Sequence, residues 1–138
     1  MRTLLLLLSV FIFAACTSAK VNRILNDVES YISERPDSAL AVLESIDQAD
    51  LKSRGSEAHH ALLHAMALDK NYIDVTDDSL ASVAVKHYSK HGPKKYLARS
   101  LYYKGLSYFY DGQYEKSIIE LSKAEPIAAM HDSLYLGL

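Results

Sequence analysis

The chain has 138 residues, 49% of them hydrophobic and 23% charged, with a formal net charge of −2. That composition excludes a low-complexity chain, and the near-neutral balance offers no broad basic field for nucleic acid. A single cysteine excludes an internal disulfide framework, and five Gly with three Pro are too few for a many-turned β-sandwich.

In chain order, Met1-Arg2-Thr3 is a short basic start, and Leu4 to Ala15 is an uncharged apolar run. The run is shorter than the ~20 residues a membrane-spanning helix needs. Ala14 and Ala15 then lead into Cys16, the layout of a secretory signal with a small-residue cleavage site. Phe13-Ala14-Ala15-Cys16 resembles the bacterial lipobox, with Phe13 standing where an aliphatic residue is usual. The resemblance implies a signal peptide over residues 1–15, lipidation of Cys16, and a tether over residues 16–20. A plain secretion signal or an uncleaved anchor would share the layout. Acyl chains contribute ~0.8 kcal/mol per buried CH₂, so a lipidated Cys16 would hold the chain on a membrane. By the same resemblance, Thr17 in place of Asp favours the outer membrane, and the domain is expected to face the periplasm. No later segment approaches the length of a membrane span.

Beyond the tether the apolar spacing is helical. Val21, Ile24, Leu25, Val28, Tyr31 and Ile32 recur at three and four residues. Pro36 breaks this helix, and Asp37 or Ser38 is placed to cap a second, with Ala39, Leu43 and Ile46 on one stripe. Asp47 to Leu51 is a polar connection. A third helix is expected from about Ser53 to Leu68, with Ala58, Ala61, Leu62, Ala65 and Leu68 inward. After a polar loop from Asp69 to Thr76, Asp77 or Asp78 caps a fourth helix carrying Leu80, Ala81, Ala84, Val85 and Tyr88. Gly92-Pro93 stops it. A fifth helix is expected over about 95–110 and a sixth from Tyr114 to about Met130, with Asp111-Gly112-Gln113 as the turn and a further helix opening at Asp132. No segment alternates with period two, so the expected class is all-α.

Residues 98–131 resemble the tetratricopeptide repeat. Leu101 stands at the large position and Gly105 at the glycine, followed by Tyr108. Gly112 and Tyr114 match the turn, and Ser117, Leu121 and Ala124 fill the second helix. Lys104 replaces a leucine, and Ala129 stands where proline is usual, with Pro126 three residues early. Small residues let two helices approach closely, and larger ones fill the space beside them. Ala39, Leu43 and Ile46 repeat the second-helix stripe, as do Ala81, Val85 and Tyr88. The resemblance therefore implies a right-handed solenoid of antiparallel hairpins, with repeats at about 21–48, 52–92 and 95–131 and the start of another at 132–138. Together with the lipobox, these phrases resemble tetratricopeptide lipoproteins and sensors of Bacteroidetes-type bacteria.

Chemistry-bearing patterns are sparse. His60 and His64, and His87 and His91, are spaced to share a helix face, but neither pair has the Glu of a zinc-protease motif. The acidic loop after Asp69 lacks the glycine and terminal glutamate of a calcium loop. There is no nucleophile elbow and no phosphate-binding glycine loop. No catalytic residue, metal site or cofactor is expected, and no enzyme activity. Tyr102, Tyr103 and Lys104 stand out as candidate partner contacts, because the tyrosines of the fifth helix exceed what one core face can hold. The expected function is a lipid-anchored scaffold for a protein or peptide. The alternatives are the sensor half of a signalling regulator and a glycan-handling lipoprotein.

Overall fold

The computed structural model describes residues 19–132. The signal segment, Cys16 and residues 133–138 of the expected further repeat lie outside them. Among the described residues there are six α-helices and no strand: α1 at 19–31, α2 at Pro36–Glu44, α3 at Arg54–Lys70, α4 at Ser79–Tyr88, α5 at Lys94–Tyr110 and α6 at Tyr114–His131. A short 3₁₀ turn, Gln48–Asp50, joins α2 to α3 and is opened by the Asp47 carboxylate, which accepts the Ala49 N–H at 2.8 Å.

The helix ends have local causes, some different from those expected. α2 is not capped by Asp37 or Ser38. Arg35 is the N-cap and Pro36 takes the first helical position, where its missing N–H costs nothing. Ser53 caps α3 with a reciprocal box: its Oγ accepts the Ser56 N–H at 3.0 Å, and Ser56 Oγ accepts the Ser53 N–H at 3.2 Å. α3 runs two residues further than expected and ends at Asn71, whose amide donates to Ala67 O at 2.7 Å and to Pro36 O at 2.8 Å. Asp78 holds the N-cap position of α4, but its carboxylate accepts from Ser82 and Tyr108 instead, and Asp77 takes the Ser79 N–H. Gly112 turns α5 into α6 at φ +77°, a conformation that L side chains rarely adopt. Asp132 is the C-cap of α6 in an extended conformation.

Each helix from α2 onward packs on its chain neighbour, and α3 also touches α5. The pairs are antiparallel. The Leu43 carbonyl near the end of α2 accepts from His60 near the start of α3, at 2.9 Å. Tyr88 at the end of α4 stacks obliquely on Tyr96 at the start of α5, with centroids 5.2 Å apart. Gly105 of α5 faces Leu121 of α6 so closely that a Cβ on the glycine would lie 2.7 Å from Leu121 Cγ. One core of Leu25, Val28, Ile32, Leu43, Leu62 and Leu63 runs through the first two hairpins, continued by Leu97, Leu101 and Tyr103. Ile46, Leu68, Leu80 and Val85, expected inward, are only partly covered. α3 instead buries Leu63, Met66 and Ala67 besides its expected stripe, because it has neighbours on several sides.

Candidate functional site

Helices α1, α3 and α5 share one side of the molecule. His59 of α3 packs against Tyr96 of α5, with ring centroids 5.4 Å apart, and also reaches Glu29 of α1. Between the three helices lies an open groove of about 360 Å³. Its apolar floor comes from Ile32 and Met66, and its polar wall from Glu29, Lys70, Lys95 and Tyr102.

A hydrogen-bonded ionic network braces one wall. Arg99 is only 4% exposed and binds Asp132 with both ends of its fork, Nε to Oδ2 at 2.5 Å and Nη2 to Oδ1 at 3.0 Å. Its third nitrogen reaches Glu29 Oε1 at 3.4 Å. Glu29 Oε2 accepts from Tyr96 Oη at 2.8 Å and from His59 Nε2 at 3.1 Å, and Lys95 Nζ lies 3.9 Å from the carboxylate. Burial pushes the Glu29 carboxyl up. The hydrogen bonds from His59 and Tyr96, with the charges of His59 and Lys95, outweigh it and hold the group at about 2. Burial and the bond to Glu29 push the Tyr96 phenol up. So acidic a carboxylate is a weak general base at neutral pH. The network is suited to fixing α1, α3, α5 and the end of α6 relative to one another.

The residues singled out from the sequence fall in three places. Leu101, Ser117 and Ala124 are buried, with Gly105 and Leu121 at the closest approach of α5 and α6. Tyr108 is partly covered and donates to Asp78 Oδ2 at 2.9 Å, while Tyr114 is 60% exposed and meets only the edge of Phe109 among the ring contacts described. Of the candidate contacts, Tyr102 lines the groove. Tyr103 lines the groove beside it but is only 5% exposed, with most of its ring in the core between α3 and α5. Lys104 points to the other side, 3.9 Å from Asp78 Oδ2 and over the Tyr108 ring at 5.9 Å, so its charge is met within the chain. The hydrogen bonds from Ser82 and Tyr108, with the Lys104 charge, hold Asp78 below its ordinary value against the opposing effect of burial.

The histidine pairs differ from each other: His60 is buried and His64 partly covered, whereas His87 is partly covered and His91 exposed. His60 is 3% exposed and donates Nε2–H to the Leu43 carbonyl, so it is a satisfied core group. Its neighbour His64 is pushed down by burial and by His60. Among the described residues no cluster of three or more His, Cys, Asp or Glu side chains is disposed to hold a metal, and no helix is long and apolar enough to cross a membrane. Glu29, Arg99 and Asp132 carried no sequence signal of partnership, being separated by up to 103 positions in the chain. One trace was present: Tyr96, Arg99 and Tyr103 fall at three- and four-residue spacing, placing an arginine on an otherwise inward face. No protein-family model, characterised protein or solved structure matches the chain.

Proposed function

We propose that the chain is a lipid-anchored scaffold of tetratricopeptide-like hairpins, arranged as a right-handed solenoid, that binds an extended peptide or protein segment without chemically altering it. The observation that carries this reading is the groove of about 360 Å³ lined by α1, α3 and α5 together. One helix from each hairpin contributes, so the groove exists only when the hairpins are stacked. Ile32 and Met66 offer apolar contact, Tyr102 an amphipathic ring, and Lys70 and Lys95 cations at the rim. Glu29 is already engaged by its own helices, which leaves the wall rigid rather than reactive. A rigid wall lowers the ordering cost of capturing a flexible segment. Anchorage through Cys16, in the outer membrane and facing the periplasm, is the matching expectation for the residues before α1.

Two measurements test the reading. Random displayed peptides selected on the full chain are expected to converge on one motif. Tyr102→Ala combined with Lys70→Ala should weaken that peptide at least tenfold, whereas Tyr72→Ala, in the loop before α4, should leave it unchanged. Selected peptides indifferent to Tyr102 and Lys70 would remove the groove as the binding surface. Separately, Cys16→Ser is expected to abolish lipid labelling in a bacterial host, and a wild type that takes up no lipid would end the anchor reading.

A further inference from the structure

A second cleft, of about 250 Å³, lies outside the groove, where the first turn of α3 meets the end of α4. Arg54 enters it from α3; Lys86 and His87 from α4; Lys90 and His91 from the residues that follow. Spacings of three and four put the α4 group on one face. The single carboxylate there, Glu57, is solvent-exposed. Arg54, Lys86 and Lys90 have no salt bridge within 4 Å among the described residues, which they share with Lys52, Lys70 and Lys94, but only here do three such cations line one cleft. The rings of His87 and His91 lie 5.3 Å apart, and no side chain stands between His87 and α3: a Cβ on Gly55 would lie 3.8 Å from His87 Nε2.

Cations in the last turn of α4 have an ordinary explanation, since they complement the negative end of that helix. Arg54 does not. It is the first residue of α3, at the positive end, where a cation is unfavourable. Three unpaired cations from two helices thus converge, one of them against its own helix dipole, and an anion between them would relieve both penalties. We propose that this cleft binds a tetrahedral oxyanion of the phosphate class, with Arg54, Lys86 and Lys90 supplying charge and His87 and His91 supplying ring N–H donors. Arg54 can meet two oxygens at once, while the lysines act as point charges.

The phosphate could be free or the headgroup of a lipid. Lys20, Val21 and Ile24 at the start of α1 line an open pocket with Ser45, Ile46 and Asp50, a few residues before α3 begins. The headgroup source rests on the lipid-anchor reading; the site itself does not. Burial, and then the neighbouring His91, hold the His87 imidazole below its ordinary value. The groups that face it are Arg54 and Glu57 from α3, and Lys86, Tyr88, Lys90 and His91 from its own helix and the turn beyond. A bound dianion opposes this depression, so binding strengthens as the pH falls toward the ordinary histidine range, about 6.5.

The test is an NMR titration of the imidazole signals in the full chain, in the presence of phosphatidylcholine nanodiscs, with inorganic phosphate. Sulfate, a dianion throughout, replaces phosphate for the pH series. The expected result is a saturable shift of His87 and His91 with no shift of His131, which does not line the cleft. The affinity should fall at least tenfold in Arg54→Gln, Lys90→Gln, a variant of exposed residues whose folding is checked by its helical circular dichroism. Nanodiscs containing phosphatidylglycerol then separate the sources. Weakened phosphate binding assigns the site to the headgroup, and unchanged binding assigns it to soluble phosphate. His87 and His131 moving alike, or a saturable shift that survives in the variant, would overturn the proposal. Cys16→Ser leaves the phosphate response intact even if the anchor reading fails, so the two failures are distinguishable.

Discussion

Helices α3 and α6 are almost equal in length, seventeen and eighteen residues, yet α3 buries nine side chains and α6 only Ser117 and Ala124. Their composition does not explain this. α6 carries Ile118 and Ile119, which are 65% and 48% exposed, while α3 buries a serine and a histidine. The difference is position. α3 has α2, α4 and α5 around it, and α6 leans chiefly on α5. In a chain whose helices pack on their sequence neighbours, burial follows place in the stack more closely than it follows the apolar pattern of the helix.

The comparison can be broken at its strongest point first. Leu62→Ala in α3 removes a fully buried side chain where little can collapse into the space, and should cost about 3 kcal/mol by denaturant unfolding. A loss below 1 kcal/mol would show that α3 is not the packed centre. Gly105→Leu tests the close seam between α5 and α6. Its Cβ would sit 2.7 Å from Leu121 Cγ and 3.4 Å from the Leu121 backbone nitrogen, so the helices must separate. The expected cost is about 2 kcal/mol, read as a lowered Tm. Unchanged melting would mean that α6 docks elsewhere.

The third test concerns the ionic brace that α3 and α6 share through Arg99. The folded Glu29 carboxyl is held at about 2, below its ordinary 4.5. A depressed carboxylate contributes stability that is fully present above its unfolded value and is lost as the pH falls from there through the folded one. Because Glu29 is partly solvated, the loss between those limits should be on the order of 1–2 kcal/mol. Glu29→Gln should flatten that acid limb, and an identical limb in wild type and variant would remove Glu29 as its source. The smallest effect belongs to the outer face of α6: Ile118→Ser should stay within about 0.5 kcal/mol. A larger loss would mean that this face is covered in solution.

Local structure was legible where a residue acts on its own backbone. Pro93 and the Asp111–Gln113 turn mark helix limits that the structure places within about one residue of expectation, whereas α4 ends at Tyr88, four residues before the Gly92 expected to stop it. Cap identity was less so, because Asp78 can serve either the backbone or Ser82 and Tyr108, and the choice depends on where α5 lies. The candidate site was the least legible. Tyr102 and Tyr103 are adjacent, chemically identical and both at the groove, yet Tyr102 is half-buried and Tyr103 is almost wholly core, a distinction made by how α5 meets α3. Glu29 looks like any surface acid until the fold brings Arg99 to it.

The Arg99 brace also bears on the order of folding. Contacts between successive helices span short stretches of chain and can form early, since little loop entropy must be lost first. The Glu29–Arg99 contact closes seventy residues, and Arg99–Asp132 closes a further thirty-three. Arg99 and Asp132 meet within the α5–α6 pair, but Glu29 meets Arg99 only after the hairpins between them are in place, so that contact is expected on the native side of the folding barrier. Its weight then falls on the unfolding rate: the contact sets how long the groove stays assembled once formed, and barely touches how quickly the helices find one another.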